Sequence, residues 1–247
     1  MVDRALLIAL VRRQPRALLA ASLFGWIALT VLDRMLISPA ICGASVASAD
    51  IALTLAVTPP GALMLAWLAM LLAMMSPLLA GPIAHVRLRS LKRRRFRALV
   101  MFLAGYGAVW LAAAPVLLAL VDALRLLAQA VALPALVLAV LVMLIWQAAP
   151  AKQISLNRCH RLPRLSAFGV AADCDCLRYG AATGVWCVGT CWGFMVLPLV
   201  ADSMHLPLMA VLAMIALIER ARLARPARWG FSALASALDR KTPARAI

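Results

Sequence analysis

AATGVWCVGTCWGFMVLPLVA, residues 181–201, contains no charged side chain. An α-helix rises 1.5 Å per residue, so a stretch of this length reaches about 30 Å, the thickness of a bilayer's hydrocarbon core. The stretch predicts a membrane-crossing helix. The rest of the chain has the same character. It is 66% hydrophobic and only 14% charged, with a mean hydropathy of +0.97, whereas soluble domains keep about 25% charged residues. Strands of a closed barrel would alternate in hydropathy, and these runs are continuous. The fold class is therefore all-α, a polytopic transmembrane helical bundle.

Five further apolar runs predict about six spans in all, near 17–36, 61–80, 98–121, 127–149, 181–201 and 204–223. The second follows Thr58-Pro59-Pro60, a good helix start. Pro77, Pro115, Pro134 and Pro198 fall within spans, where kinks are tolerated if neighbours satisfy the freed carbonyls. The 247 residues read as a single integral membrane domain with a short basic tail over 226–247.

The net charge of +16 follows the topology. Of the 25 Lys and Arg, all but Arg34 and Arg125 lie in the N-terminal segment, the loop after the second span, the loop after the fourth, or the inner end of the sixth span with the tail that follows it. By the positive-inside rule these four segments are cytoplasmic, as are both termini. Basic residues spread over one membrane face suit anionic lipid rather than nucleic acid. The lipid bilayer is thus the first expected partner, and a bacterial inner membrane the expected location. The first span can alternatively be read as a signal peptide with Ala47-Ser48-Ala49 as its cleavage site, but that site lies well beyond the apolar run.

Six cysteines distribute by side: Cys42 outside, Cys159, Cys174 and Cys176 in the cytoplasmic loop, and Cys187 and Cys191 within the fifth span. No even external set exists to build a disulfide framework. Residues four apart share a helix face, so Cys187, Cys191 and Met195 form one sulfur stripe. Gly189 and Gly193 form a small-residue face suited to a partner helix. The second span carries Met70 and Met74, with Met75 beside them. Counted from the cytoplasmic ends, Met74 and Cys187 each lie about 9 Å deep and Met70 and Cys191 about 15 Å. If the two helices pack together, four sulfur atoms meet at matched levels. Thiolate and thioether are the soft ligands that select Cu(I). The same side chains also serve as ordinary core packing.

The strings W-x-x-M-x-x-A-M-M-x-P (Trp67, Met70, Ala73, Met74, Met75, Pro77), G-Y-x-x-x-W (Gly105, Tyr106, Trp110), Q-x-x-P-x-K (Gln147, Pro150, Lys152) and C-x-G-x-C-W-x-x-M (Cys187, Gly189, Cys191, Trp192, Met195) occur in this order. Over about 61–222 the chain resembles a bacterial domain-of-unknown-function family of predicted metal-binding integral membrane proteins. The resemblance implies an inner-membrane protein with a metal site. Two departures reduce the thiol count: Thr190-Cys191 stands where the family carries an adjacent cysteine pair, and Ser155 stands where it carries a cysteine ahead of the one matching Cys159.

Cys159-His160 and Asp173-Cys174-Asp175-Cys176 fall in the long cytoplasmic loop, where they can exchange a soft metal with the cytosol or simply be solvated. The paired CxxC spacing of zinc sites is absent. His205 beside Met204 reads as an outer metal ligand or an interfacial histidine, and His85 as interfacial. Glu219, the only glutamate, reads as a functional intramembrane carboxylate, as a partner of Arg220 or Arg222, or as a side chain snorkelling to the interface. Tyr106 and Trp110 read as packing, and Asp33-Arg34 as a local ion pair. No catalytic constellation or nucleotide-binding motif is present.

These readings converge on soft-metal binding, with Cu(I) as the ligand and Met70, Met74, Cys187, Cys191, Met195, Cys159 and His160 as candidate ligands, serving acquisition, storage or delivery. The alternatives are a structural subunit of a membrane complex, and a thiol–disulfide relay through Cys187 and Cys191.

Overall fold

The computed structural model describes residues 15–35, 60–201, 204–222 and 226–230. Arg4, Arg12, Arg13, Cys42, Ala47-Ser48-Ala49, the side chains of Asp33 and Arg34, and the tail beyond 230 lie outside the described residues. Among those described, all regular structure is helical: α1 (Arg16–Met35), α2 (Pro60–Met75), α3 (Ala80–Arg89), α4 (Arg95–Ala130), α5 (Ala135–Ala148), α6 (Pro150–Arg158), α7 (Gly169–Val200) and α8 (His205–Arg220). A 3₁₀ turn over Ser76–Leu79 joins α2 to α3.

Three helical stretches are long and apolar enough to cross a membrane: Gly61–Arg89, Lys92–Ala130 and Gly169–Val200. The pair α5 and α6, bent by 65° at their junction, adds a fourth if it counts as one span. The apolar window of α7 is 72% buried, against 22% for that of α4. α7 is therefore the central rod, and α4 presents much of its apolar surface outward. Leu103, Val116, Leu126 and Ile145 are among the large apolar side chains left exposed around the bundle.

Glycine brings the two longest helices together. A Cβ on Gly180 would fall on the Phe102 carbonyl, and one on Gly105 on the Leu177 carbonyl. Only hydrogen fits there, so α4 and α7 cross backbone to backbone, the close approach that small residues permit in membrane helices. The Gly189/Gly193 face, expected to receive a partner helix, lies against the chain's own α5–α6. A Cβ on Gly189 would meet Ser155 Oγ at 2.8 Å, and one on Gly193 would touch Met143 at 3.5 Å.

Two prolines shape the site. Pro77 has no N–H to give the carbonyl four residues earlier, that of Ala73. Ser22 Oγ from α1 donates to that carbonyl at 2.7 Å, which ties α1 to α2 at the kink. Pro150 disfavours helical backbone at Ala149, which is extended (φ −71°, ψ 139°) and caps both α5 and α6. The resulting bend turns Lys152 inward.

Several expected boundaries shift. α4 runs unbroken to Ala130, so residues 127–130 belong to the third span rather than the fourth. The break comes instead at Val131–Pro134, where Ala132 takes a positive φ of 53°, the left-handed conformation that commonly follows a helix end. Asp173-Cys174-Asp175-Cys176 stands on the first turns of α7 rather than in a loop. Asp173 there forms ion pairs with Arg94 (2.9 Å) and Arg97 (2.6 Å). Lys152, expected in a solvated loop, is buried.

Candidate metal centre

Cys187 and Cys191 of α7 face inward because the bulk of that helix is enclosed. Cys187, Cys191 and Met195 are all buried, as are Met70, Met74 and Met75 on α2. The thiol of Cys187 donates to Met75 Sδ at 3.8 Å, and Cys191 lies one helical turn further along the same face. Tyr106 on α4 donates its hydroxyl to Cys187 Sγ at 3.3 Å. One cross-helix sulfur contact therefore exists between the expected helices, and its thioether is Met75. Successive helical residues are rotated by about 100°, which places Met74 on the neighbouring face. Met70, five residues earlier, lines a separate cavity with Trp67 and His205. Met195 is fully buried one turn beyond Cys191.

Thr190 extends the cluster. Its Oγ1 lies 3.4 Å from Cys191 Sγ and donates to the Cys187 carbonyl at 2.9 Å. Burial pushes the Cys159 thiol up from its ordinary range, and the neighbouring Arg220 guanidinium offsets part of that rise. Cys159 is thus a third buried thiol, at the end of α6. His160 is placed otherwise. Its Nδ1 faces the Leu156 carbonyl and its Nε2 the Arg220 carbonyl, each at 2.9 Å, so neither nitrogen presents a lone pair toward the sulfur atoms. Cys174 is exposed and Cys176 buried. Residues two apart on a helix do not share a face.

A buried charge pair adjoins the thiols. Lys152 Nζ lies 2.5 Å from Glu219 Oε2, also donates to Gln147 Oε1, and sits 4.7 Å from the centre of the Phe194 ring. Gln147 donates to Glu219 Oε1 at 3.2 Å. Glu219 is held by the lysine and glutamine of the Q-x-x-P-x-K string. Both Lys152 and Glu219 are within electrostatic reach of Cys191. Sequence reasoning missed this neighbourhood because Lys152 was assigned to a loop. A lone lysine two residues after a proline that breaks an apolar helix was the available signal.

Among the described residues, no three His, Cys, Asp or Glu side chains group to hold a metal ion. The donors that do come together are two thiols and a thioether. That set lacks the hard oxygens of a Ca²⁺ or Mg²⁺ site and the four N/S ligands of structural zinc. Its softness matches Cu(I).

A family model described as "PpoB2: Copper chaperone" matches residues 64–238. No curated protein and no solved structure matches the chain.

Proposed function

The chain belongs to the PpoB2 copper-chaperone family, and on that footing we propose that it carries copper as Cu(I), held by Cys187, Cys191 and Met75 inside a bacterial inner membrane, for delivery to a recipient enzyme. The observation that carries this reading is the 3.8 Å contact of the Cys187 thiol with Met75 Sδ in a buried core, with the buried Cys191 one turn along the same helix face. Soft ligands at low coordination number suit Cu(I), and lipid supplies no competing donor.

Copper is cargo here, and the surrounding residues determine how its charge is carried. Loading converts two thiols to thiolates, so two protons leave and the complex bears one net negative charge. A buried anion is costly unless it is compensated. The Lys152 ammonium lies near Cys191, and the Arg220 guanidinium is within reach of both Cys187 and Cys191. The Tyr106 hydroxyl already donates to the Cys187 sulfur, and that hydrogen bond strengthens when the acceptor is ionised. The buried Cys159 provides a further sulfur donor on the α6 side. In this reading the whole chain is one membrane domain with both ends in the cytoplasm, and its basic 226–247 tail rests on anionic lipid.

The test is Cu(I) titration of the purified protein under reducing conditions against a chromophoric Cu(I) competitor. Cys187→Ser combined with Cys191→Ser is expected to abolish binding at this site. Met75→Leu is expected to weaken it while leaving the stoichiometry intact. Unchanged stoichiometry and affinity in the double cysteine variant would sink the proposal.

A further inference from the structure

A second cluster of soft donors lies toward the end of the bundle away from the basic segments. A cavity of about 250 Å³ sits between α1, α2, α4 and the α7–α8 junction, with Met64, Trp67, Met70, Pro115, Leu199 and His205 in its wall. His205 is 6% exposed. Its Nδ1 lies 3.0 Å from the Pro198 carbonyl. A carbonyl can only accept, so Nδ1 carries the proton and Nε2 carries the lone pair. That Nε2 is buried and has no hydrogen-bond partner. A buried polar atom without a partner is costly, and apolar walls offer it none. The donors available around the cavity are the Met70 and Met64 thioethers.

We propose that His205 Nε2 and Met70, with Met64 beside them, form a second Cu(I) site that receives the ion before it reaches Cys187, Cys191 and Met75. The proposal rests on the copper-carrying reading above and adds the place where copper first binds. A neutral imidazole nitrogen and thioethers bind Cu(I) without losing a proton, so this site holds a cation where the thiol site holds an anion. The Nδ1 hydrogen bond to Pro198 fixes the ring and its tautomer, the usual outer-shell arrangement for a metal-bound histidine. Met70 and Met75 are five residues apart on α2, about 7.5 Å along its axis. The Trp67 ring adds a π face to the same wall, a further attraction for a desolvated cation.

The experiment uses the full-length protein in detergent, loaded with Cu(I) under reductant, with stoichiometry from competitor titration and ligand type from copper X-ray absorption. The wild type is expected to bind two equivalents, one showing imidazole scattering and one showing sulfur alone. His205→Asn keeps a side-chain N–H for the Pro198 carbonyl but removes the imidazole. It is expected to lose one equivalent and the imidazole signature while the sulfur-only site stays full. Met70→Leu, which leaves His205 in place, is expected to weaken the imidazole site selectively. Cys187→Ser with Cys191→Ser is expected to lose the other equivalent and keep the imidazole signal. A wild-type spectrum without imidazole, or His205→Asn binding the same copper as wild type, overturns this second site. The thiol reading fails separately, when the double cysteine variant loses nothing.

Discussion

Replacing Glu219 by Leu tests the buried charge pair most directly. The Lys152 and Glu219 side chains are 3% and 5% exposed, and their charged atoms are 2.5 Å apart. With so little exposure, solvent cannot take over as partner when the carboxylate is removed. Losing one member of a buried pair typically costs about 3–5 kcal/mol, because the remaining charge is stranded. For a chain of this size, that corresponds to a fall in Tm of about 6–20 °C. Lys152→Met alone should cost a similar amount through the stranded carboxylate. The double change Lys152→Met with Glu219→Leu removes both charges and should recover most of the loss, since apolar replacement of a whole pair is often neutral. Thermal unfolding in detergent micelles, followed by circular dichroism for all four proteins, gives the cycle. If Glu219→Leu costs less than about 1 kcal/mol, or the double change costs the sum of the two singles, Lys152 and Glu219 are not the mutually dependent buried pair described.

Gly180→Ala should destabilise the protein by about 1–3 kcal/mol through overpacking, because the new methyl falls on the Phe102 carbonyl. Gly107→Ala, with nothing within 4 Å of its Cβ position, should be neutral or slightly stabilising. Thermal unfolding of the two variants side by side checks the contrast. Ser22→Ala should cost about 1–2 kcal/mol by leaving the Ala73 carbonyl without its donor. Adding Pro77→Ala should lessen that penalty by restoring a backbone N–H, and a double-mutant cycle measures the coupling.

The sequence made the helical class plain because apolar runs of bilayer length need no tertiary information. The sulfur stripe of α7 was equally legible, since spacing four fixes a shared face. The contact of Met75 with Cys187 was not, because which thioether meets the thiol depends on how α2 is rotated against α7, and hydropathy that is high all round a helix carries no rotational signal. The Lys152–Glu219 pair escaped for a different reason. Charge counting assigns a lysine beyond an apolar run to the cytoplasm, whereas the bend at Ala149 returns it to the interior. Tyr106 read as packing because its ring does pack, stacking on Phe102 with centroids 6.5 Å apart. Its hydroxyl finds Cys187 only through the glycine-mediated approach of α4 to α7.

Met75 is the last α-helical residue before the 3₁₀ turn that contains Pro77. The ladder of backbone hydrogen bonds is already interrupted at this point, and the carbonyl released by the interruption is held from outside by Ser22. The thioether is thus mounted where the helical ladder breaks, whereas the two thiols stand within the enclosed run of α7. In the copper site proposed above, one arm of the donor set would sit at a joint and two on a single rod.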